Sequence, residues 1–366
     1  MTELERCLAV LNGQLPDCVP VVPENYLFSI RHCGYRMKDV VRNGRLLADC
    51  LIKTCDDFGY DGVTVDLDNA VSAEILGCPV KFREDEPAIV EQPIVTDLAD
   101  LDRLQLPQEK MPGRSNVYVE CVSRLAGQIG RQKLITSYCD QGPFSLAALV
   151  RGIENFMFDL VDPEVKPQLH RLLGICAQIT EMFGKLLIEA GAHVVVFGDA
   201  LASPDVVSPA IYREFALPYE RKVVSKMKGK GSYIGIHICG NVTAILPDLV
   251  TTGADLLDID YKTDLYRVAE LCRGKVVVRG PLDPSSVLYF GTPEVVKAKA
   301  KEAIEILGKR GGLLLGSGCD MSPDTPEENL QTMIRVAHDF RYEQPSSRNV
   351  SICKGGRTVM CCKMNA

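Results

Sequence analysis

Short apolar stretches alternate with amphipathic ones along most of this chain, and this alternation restricts the folds that it can adopt. The apolar runs, dominated by Val, Ile and Leu, are eight in number and cover residues 19–22, 62–66, 134–138, 193–197, 233–238, 256–259, 275–279 and 312–316. Most lack polar alternation, which is typical of parallel strands buried on both faces. Segments with helical periodicity lie between most of the runs, at residues 44–58, 166–190, 211–228, 244–251 and 293–307.

Eight alternating units predict an α/β fold in which a parallel sheet closes into a (β/α)₈ TIM barrel, with the active site at its C-terminal mouth. An open nucleotide-binding sheet would need a phosphate loop, and the sequence has neither G-x-G-x-x-G after a strand nor G-x-x-x-x-G-K-[ST]. We predict a single barrel domain over residues 1–343, in which residues 81–131 form excursions around the mouth. Residues 344–366 are predicted to be a C-terminal extension.

Composition excludes several classes of partner. The 366-residue chain has a net charge of −7 and no dense block of Lys and Arg, which argues against nucleic acid. No apolar run reaches the roughly 18 residues of a membrane span, and residues 1–16 lack the apolar core of a signal peptide. We therefore expect a cytoplasmic protein without a membrane segment. The 15 cysteines should be reduced, most of them packed in the core and a few available to a metal.

The sharpest chemical signal is a histidine and a cysteine two residues apart at the end of the fifth apolar run. His237 and Cys239 share one face of that strand end, because residues i and i+2 of a strand point to the same side. Cys319 follows the eighth run, and closure of a barrel would bring it to the same mouth. Three such ligands with a vacant fourth position are the pattern of catalytic zinc. A hydrogen-bonded core histidine and packed cysteines are the alternative, and the residues by themselves leave both open.

Carboxylates also lie at the end of several of the apolar runs or just after it. They are Asp66, Asp68, Asp199, Asp258, Asp260 and Asp283. Each could be a helix N-cap, but we expect two or three of them to line the cavity, where they would orient ligands or handle protons. Asp68, Asp199 and Asp260 are the predicted catalytic residues.

Several stretches resemble the uroporphyrinogen decarboxylase superfamily, and they span nearly the whole chain. They are Arg-His-Cys-Gly at 31–34, Ala-Glu-Ile-Leu-Gly at 73–77, Gly-Pro-Phe-Ser-Leu at 142–146, Phe-Ala-Leu-Pro-Tyr at 215–219 and Thr-Pro-Glu-Glu-Asn at 325–329. The resemblance implies a (β/α)₈ barrel with the active site at the C-terminal mouth.

Two branches of this superfamily compete. The decarboxylase branch uses no zinc, grips an acidic porphyrinogen through an Arg-rich N-terminal motif, and carries a histidine at the position of Cys319. Arg31 and Gly34 match that motif, and Asp68 could match the aspartate that holds the pyrroles. Tyr35, however, replaces the second arginine of the motif.

The zinc-dependent corrinoid methyltransferases, such as the methylcobamide:coenzyme M methyltransferases, are the closer match. That branch has its zinc ligands His, Cys and Cys at the positions of His237, Cys239 and Cys319. The resemblance therefore implies a zinc-dependent methyltransferase. A non-catalytic binding protein with a structural zinc is a further alternative, which a fourth protein ligand would favour.

The resemblance departs from the coenzyme M enzymes after the sixth strand. Those enzymes carry Glu-Glu-Lys, whereas this chain has Asp260, Tyr261 and Lys262. The departure favours relatives that demethylate methoxylated aromatics, with a thiol as the alternative substrate. The predicted substrate-binding residues are Tyr26, Arg31, Phe144, Asn241 and Tyr261. A sulfonated thiol would need a fixed cation, for which Arg31, Arg36 and Arg279 are candidates.

The resemblance also implies a cofactor that another protein carries. The sequence has no Asp-x-His-x-x-Gly signature for corrinoid binding. We therefore expect the corrinoid (cobalamin) to arrive on a separate corrinoid protein that docks at the mouth. The second partner is a small-molecule methyl donor or acceptor, and we also allow for a homodimer.

Overall fold

The computed structural model describes residues 1–108 and 111–342. The predicted C-terminal extension, with Cys353, Cys361 and Cys362, lies outside the described residues, as does the predicted domain boundary at residue 343.

Seven parallel strands form the main sheet, in the order β1-β4-β5-β6-β7-β8-β9, and a two-stranded antiparallel hairpin, β2-β3, lies outside it. The strands are β1 (Gly62–Val65), β2 (Val80–Lys81), β3 (Ile89–Val90), β4 (Leu134–Gln141), β5 (Val194–Gly198), β6 (Tyr233–Ile238), β7 (Leu256–Ile259), β8 (Val277–Leu282) and β9 (Leu313–Ser317). The predicted parallel α/β architecture is therefore confirmed, and each of the seven strands begins within two residues of its predicted start.

The first apolar run behaves differently from the other seven. Val21 makes only an isolated parallel bridge to Leu315 of β9, so the strand predicted over residues 19–22 is reduced to one pair. The ladder stops because the Glu24 N–H donates to the Ser317 hydroxyl at 3.3 Å rather than to the backbone of β9. On its other side, the Val21 carbonyl accepts a hydrogen bond of 2.9 Å from the N–H of Asp61, next to β1.

Fifteen α-helices surround or connect the strands in the described residues. They are α1 (Glu3–Leu11), α2 (Tyr26–His32), α3 (Met37–Val40), α4 (Gly44–Phe58), α5 (Val71–Ile75), α6 (Ser115–Gln128), α7 (Pro143–Arg151), α8 (Ile153–Asp159), α9 (Lys166–Ala190), α10 (Pro209–Ile211), α11 (Leu217–Met227), α12 (Leu246–Leu249), α13 (Leu265–Cys272), α14 (Pro293–Ala303) and α15 (Glu327–Asp339). Turns of 3₁₀-helix lie at Leu98–Arg103 and Ala200–Ala202, and π-helical turns at Tyr212–Ala216, Pro284–Tyr289 and Ile304–Gly308. None of these helices is long and apolar enough to cross a membrane.

Local sequence explains where the long helices begin and end. The Asn43 side chain accepts a hydrogen bond of 3.0 Å from the N–H of Leu46, which caps the first turn of α4. Gly59 ends α4 at φ 74° and Gly191 ends α9 at φ 105°, the left-handed conformation that glycine adopts without strain. Both helices have the bounds that their hydrophobic periodicity predicts.

The sheet buries both faces. Its outer face and the surrounding helices form the larger core, whereas the inner face forms a separate apolar cluster that includes Leu134, Val194, Leu256 and Leu314. Helix α1 supplies Val10 to this inner cluster. The apolar interior therefore lies toward the amino ends of the strands, and the side chains with chemistry lie toward the carboxyl ends.

One acidic side chain, that of Glu220, is buried among the helices with a hydrogen bond to only one of its two carboxylate oxygens. Glu220 on α11 is fully buried, and the Tyr212 hydroxyl donates a hydrogen bond of 2.6 Å to its Oε2. Its Oε1 has no partner among the described residues. Burial, followed by the charge of Asp199, raises the pKa of Glu220 to about 8. Glu220 therefore keeps its proton at neutral pH in the folded protein, whereas in the unfolded chain it would be ionised.

We expect Glu220→Gln to flatten the dependence of stability on pH. A folded-state pKa above the unfolded value means that stability is full below about pH 4.5 and falls as pH rises toward 8. One pKa unit corresponds to about 1.4 kcal/mol, so the wild type should lose at least about 1 kcal/mol between pH 5 and pH 8. Urea unfolding at both pH values measures this loss. The exposed Glu214→Gln is the control, and parallel profiles for wild type and Glu220→Gln would contradict the assignment.

Candidate metal and active site

Strand register brings the three predicted metal ligands together. His237 lies near the end of β6, Cys239 follows this strand, and Cys319 follows β9. His237 Nε2 is 3.0 Å from the Cys239 Sγ, and the two sulfur atoms are 3.9 Å apart. One ligand atom from each of the three residues lies within 4.8 Å of the other two. His237 is 5% exposed, and both cysteines are half-buried.

This donor set has the dimensions of a tetrahedral zinc site. With Zn–S bonds of about 2.3 Å, tetrahedral geometry separates two sulfur ligands by roughly 3.8 Å, close to the 3.9 Å between Cys239 and Cys319. The Nε2 to Sγ distance of 3.0 Å is shorter than a bound ion would impose, so a small outward shift of Cys239 would accompany binding. The three residues therefore fit a metal that favours nitrogen and sulfur.

The second ring nitrogen of His237 is also engaged. His237 Nδ1 is 3.2 Å from the backbone carbonyl of Asp258, to which it donates in the tautomer that leaves Nε2 free to bind a metal. Burial lowers the pKa of His237, but hydrogen bonding to the Cys319 sulfur and the charge of Glu24 outweigh burial and raise it to about 10. Hydrogen bonding to Cys239 and burial raise the pKa of Cys319. A metal must displace these protons in order to bind.

Asp260 fixes the turn that carries Cys239. Its side chain is buried, with Oδ2 accepting from the N–H of Gly240 at 2.8 Å and Oδ1 from the N–H of Lys262 at 2.9 Å. Gly240 has φ 92°, and a Cβ at this position would lie 2.4 Å from Oδ2 of Asp205. This turn therefore needs both the glycine and the Asp260 carboxylate, a geometry compatible with the predicted supporting role of Asp260.

Glu24, Asp258 and Arg279 form a buried ionic cluster, and Asp258 is the neighbour of His237 on the adjacent strand. This cluster was not predicted from the sequence. Arg279 is 1% exposed, and its guanidinium binds both carboxylate oxygens of Asp258. The Arg279 Nη2 also lies 2.5 Å from Glu24 Oε1, to which the Tyr138 hydroxyl donates at 2.7 Å. The Thr64 hydroxyl lies 3.1 Å from Nη1. The period of two along each strand could have revealed this cluster, since Glu24 continues the inward face of Val22.

This cluster corrects one expectation. Arg279 was a candidate cation for a sulfonated thiol, but two carboxylates already neutralise it. Arg36 is exposed and paired with Glu84 at 2.9 Å, and Arg31 is exposed on α2. The buried arginines among the described residues, Arg114 and Arg279, are both paired with carboxylates, so neither is ready to receive a sulfonate.

Asp199 and Phe144 occupy structural positions at the end of β5 and the start of α7. Asp199 is fully buried, and it accepts hydrogen bonds from the N–H groups of Ser145 at 2.6 Å and Phe144 at 3.3 Å. Burial raises its pKa to about 6. The Phe144 ring is fully buried and packs edge-on against Phe156, with ring centroids 4.9 Å apart. Asp199 thus caps α7, and Phe144 is a core residue.

Asp68 is neutralised by an arginine. It is buried, and its carboxylate forms an ion pair with the buried guanidinium of Arg114, which also binds Glu74 at 2.7 Å. The N–H of Ala70 donates to Asp68 as well, at 3.0 Å. Asp68 therefore holds the loop after β1 rather than presenting a free carboxylate.

Two other acids lie beside Tyr26 at the mouth. Tyr26, predicted near a strand end, lies on α2, is buried, and points its hydroxyl at Asp320 Oδ2, 3.5 Å away. Asp66 accepts a hydrogen bond of 2.7 Å from the Tyr118 hydroxyl. Burial and the charge of Asp320 raise the pKa of Asp66, and burial and the charge of Cys319 raise the pKa of Asp320. Buried acids with raised pKa values are common at functional sites, so Asp66 and Asp320 join the candidate acids of this site.

The remaining predicted substrate-binding residues are on the rim. Asn241 is exposed, and its N–H lies 3.3 Å from Asp205 Oδ2. Tyr261 is 37% exposed and lines a cavity of about 360 Å³ that extends to Lys299 and Glu302 of α14 and that none of the three candidate metal ligands lines. Tyr26 and Phe144 are buried, so Tyr261, which follows Asp260 in the chain, is the exposed ring of the three predicted aromatic residues.

Comparison with protein families matches residues 2–340 to the family described as uroporphyrinogen decarboxylase (URO-D). The chain belongs to the uroporphyrinogen decarboxylase family. This match covers nearly all of the described residues, and it confirms the family that the sequence motifs indicate.

The chain is similar to proteins named for two different activities. It is 30% identical over 286 residues to the methylcobamide:CoM methyltransferase MtbA of Methanosarcina mazei, which covers 78% of this chain and 81% of the relative. It is 26% identical to the uroporphyrinogen decarboxylase of Carboxydothermus hydrogenoformans, over 85% of this chain and 88% of that one.

A solved structure described as a methyltransferase from Methanosarcina mazei has a TM-score of 0.83 and 26% identity, and it covers 92% of this chain and 98% of its own. Together with the sequence relatives, this similarity confirms the prediction of an enzyme of the methyltransferase class.

We expect Asp260→Ala to lower the affinity of the site for zinc about 10- to 100-fold, as loss of a group that orients a metal ligand does. The reason is that the Gly240 N–H loses its partner and the Cys239 turn is no longer fixed. Competition with a chromogenic chelator measures this affinity. Asp264→Ala is the matched control, because Asp264 also accepts from two N–H groups, but these belong to the first turn of α13 and not to the turn that carries Cys239. Equal zinc affinity in the two variants would contradict the role of Asp260.

Proposed function

We propose that this protein is a zinc-dependent corrinoid methyltransferase, which moves a methyl group between a small substrate and the cobalt of a separate corrinoid protein. The observation that carries the proposal is the convergence of His237, Cys239 and Cys319 at one end of the parallel sheet. Two thiolates and one imidazole suit catalytic zinc, which keeps a fourth position for water or substrate. The similarity to methylcobamide:CoM methyltransferases supports the same reading.

The decarboxylase activity of the URO-D family is less well supported. A reaction without a metal has no need for two cysteines 3.9 Å apart beside a histidine. An acidic porphyrinogen would also need free cations in the cavity, and the buried Arg279 and Arg114 are both neutralised by carboxylates. These charges favour the methyltransferase over the decarboxylase.

We further propose that the sheet closes into the predicted (β/α)₈ barrel. Residues 19–22 would be the closing element between β9 and β1. The bridge from Val21 to Leu315 and the hydrogen bond from the Asp61 N–H to the Val21 carbonyl support this closure. The inner apolar cluster, to which β4, β7, β9 and α1 contribute, is the core that such a barrel would enclose.

In this proposal His237, Cys239 and Cys319 hold the zinc, which acts as a Lewis acid toward a thiol or an aryl ether oxygen when bound. The Asp258 carbonyl fixes the tautomer of His237, and Asp260 fixes the Cys239 turn. Asp320 and Asp66 have the raised pKa values that suit a proton acceptor or donor near the reacting oxygen or sulfur.

The methyl donor that we propose first is a methoxylated aromatic compound. Tyr261, accessible beside Asp260, supports an aromatic ligand, since rings stack favourably on exposed aromatic side chains. The two buried arginines of the described residues, Arg114 and Arg279, are both paired with carboxylates, and this argues against a sulfonated thiol as the substrate. A thiol substrate is the second candidate, because relatives named as coenzyme M methyltransferases recur among the similar proteins.

The corrinoid is proposed to come from a partner protein. None of the five histidines occurs in an Asp-x-His-x-x-Gly context. The half-buried cysteines at the carboxyl ends of the strands are reachable from outside the sheet, so a docked cofactor could approach them. A cytoplasmic location and a possible homodimer remain predictions.

We expect purified protein to hold about one zinc per chain, and His237→Ala and Cys319→Ala to lose most of it while remaining folded. Removing one of three ligands leaves too few donors for a tight site. Metal analysis by mass spectrometry, with circular dichroism as a check on folding, measures this. Cys272→Ala, which removes a buried thiol on α13, is the control and should keep its zinc. Full zinc content in both ligand variants would place the metal elsewhere.

Two reactions, assayed with the same protein preparation, distinguish an aromatic substrate from a thiol. We expect methoxyarenes to methylate cobalamin(I), with the rate rising when a small corrinoid protein replaces free cobalamin. The comparison reaction is demethylation of methylcobalamin by thiols. Activity with thiols alone would reject the aromatic substrate but retain the metal site. Turnover of uroporphyrinogen by zinc-free protein would reject the methyltransferase.

A further inference from the structure

Arg279 holds one carboxylate that could otherwise reach the metal. Glu24, His237 and Asp258 each offer a ligand atom within 4.8 Å of those of the other two. His237 also belongs to the set with Cys239 and Cys319, and no set among the described residues contains Glu24 together with both cysteines. Glu24 therefore lies next to His237 but set back from the sulfur atoms.

The restraint on Glu24 comes from two donors on other strands. Arg279 Nη2 and the Tyr138 hydroxyl both donate to Glu24 Oε1, at 2.5 Å and 2.7 Å. Both donors are buried, and the bidentate pairing with Asp258 fixes the Arg279 guanidinium in turn. The Glu24 carboxylate is thus held by charged and neutral hydrogen bonds in a site with almost no access to water. Such bonds are strong because no solvent competes for them.

We propose that Arg279 is a positioning residue that anchors Glu24 and so keeps the fourth coordination position beside His237, Cys239 and Cys319 available to substrate. The inference rests on the proposed metal site. A carboxylate is an ordinary zinc ligand, and Glu24, held through Oε1, offers a carboxylate oxygen within 4.8 Å of a ring nitrogen of His237. Without the anchor, Glu24 would swing toward the metal and compete with a thiol or an ether oxygen for that position.

The test uses the cobalt(II)-substituted full chain, whose visible spectrum reports the ligands. The wild type should show thiolate-to-cobalt charge transfer, and titration with 2-mercaptoethanol should change the ligand-field bands as the thiol binds. Arg279→Met should weaken thiol binding about 10- to 100-fold and alter the spectrum before thiol is added. The double variant Glu24→Gln/Arg279→Met should recover both the wild-type spectrum and much of the thiol affinity, because a neutral amide is a poor zinc ligand.

Three controls separate positioning from folding. Arg151→Met removes a half-buried bidentate arginine, which pairs with Asp159 at 2.7 Å, and should leave the cobalt spectrum unchanged. Arg279→Lys retains the charge and should lie between the wild type and Arg279→Met in thiol affinity. If Arg279→Met does not fold, Tyr138→Phe removes the other donor to Glu24 and should shift thiol affinity in the same direction by a smaller factor.

Two results would overturn the inference while leaving the metal site in place. One is wild-type thiol affinity in folded Arg279→Met, or in Tyr138→Phe where Arg279→Met does not fold. The other is failure of Glu24→Gln to reverse the effect of Arg279→Met. If the wild type itself shows no thiolate-to-cobalt charge transfer, the proposed function fails, and the role of Arg279 fails with it.

Discussion

The parallel register of β6, β7 and β8 is the constraint on which the site depends. His237 pairs with Asp258, and Asp258 pairs with Arg279, at one level across three neighbouring strands. This register puts the imidazole against the Asp258 carbonyl and the guanidinium against the Asp258 carboxylate. A slip of one residue in any strand would turn its side chain to the opposite face. The buried ion cluster and the donor set therefore form together, or not at all.

The inner face of the sheet is apolar toward the amino ends of the strands, and it becomes polar at the level of Asp258 and Arg279. Val194, Leu256 and Leu314 fill the interior next to α1, whereas Tyr138, Asp258 and Arg279 follow along the same faces. Burying these charges is costly unless each is paired, and here a guanidinium between two carboxylates supplies the pairing. The chain thus concentrates its buried polar groups next to one small volume, which is what preorganisation of a metal site requires.

The acids at the mouth fall into two groups. Some stabilise loops or helix ends through their carboxylates, and others are candidates for proton transfer. Asp199 caps α7 and Asp68 pairs with Arg114, so their oxygens are already used by the fold. Burial and the charge of Asp320 raise the pKa of Asp66, burial and the charge of Cys319 raise the pKa of Asp320, and both shifts favour the protonated carboxyl groups. A family scaffold can change its reaction by altering such groups while its strands and loop-holding contacts stay the same.

The sequence by itself determined the parallel α/β architecture, the bounds of α4 and α9, the family and the three candidate ligands, because hydrophobic periodicity, helix caps and short motifs are local. Only the tertiary structure decided which acids were free. Asp68 and Asp199 read the same as Asp66 and Asp320 in sequence, yet their partners, Arg114 and the first turn of α7, come from distant segments. Glu24 and Arg279 are 255 residues apart, so their contact follows from the curl of the sheet, which no local pattern encodes.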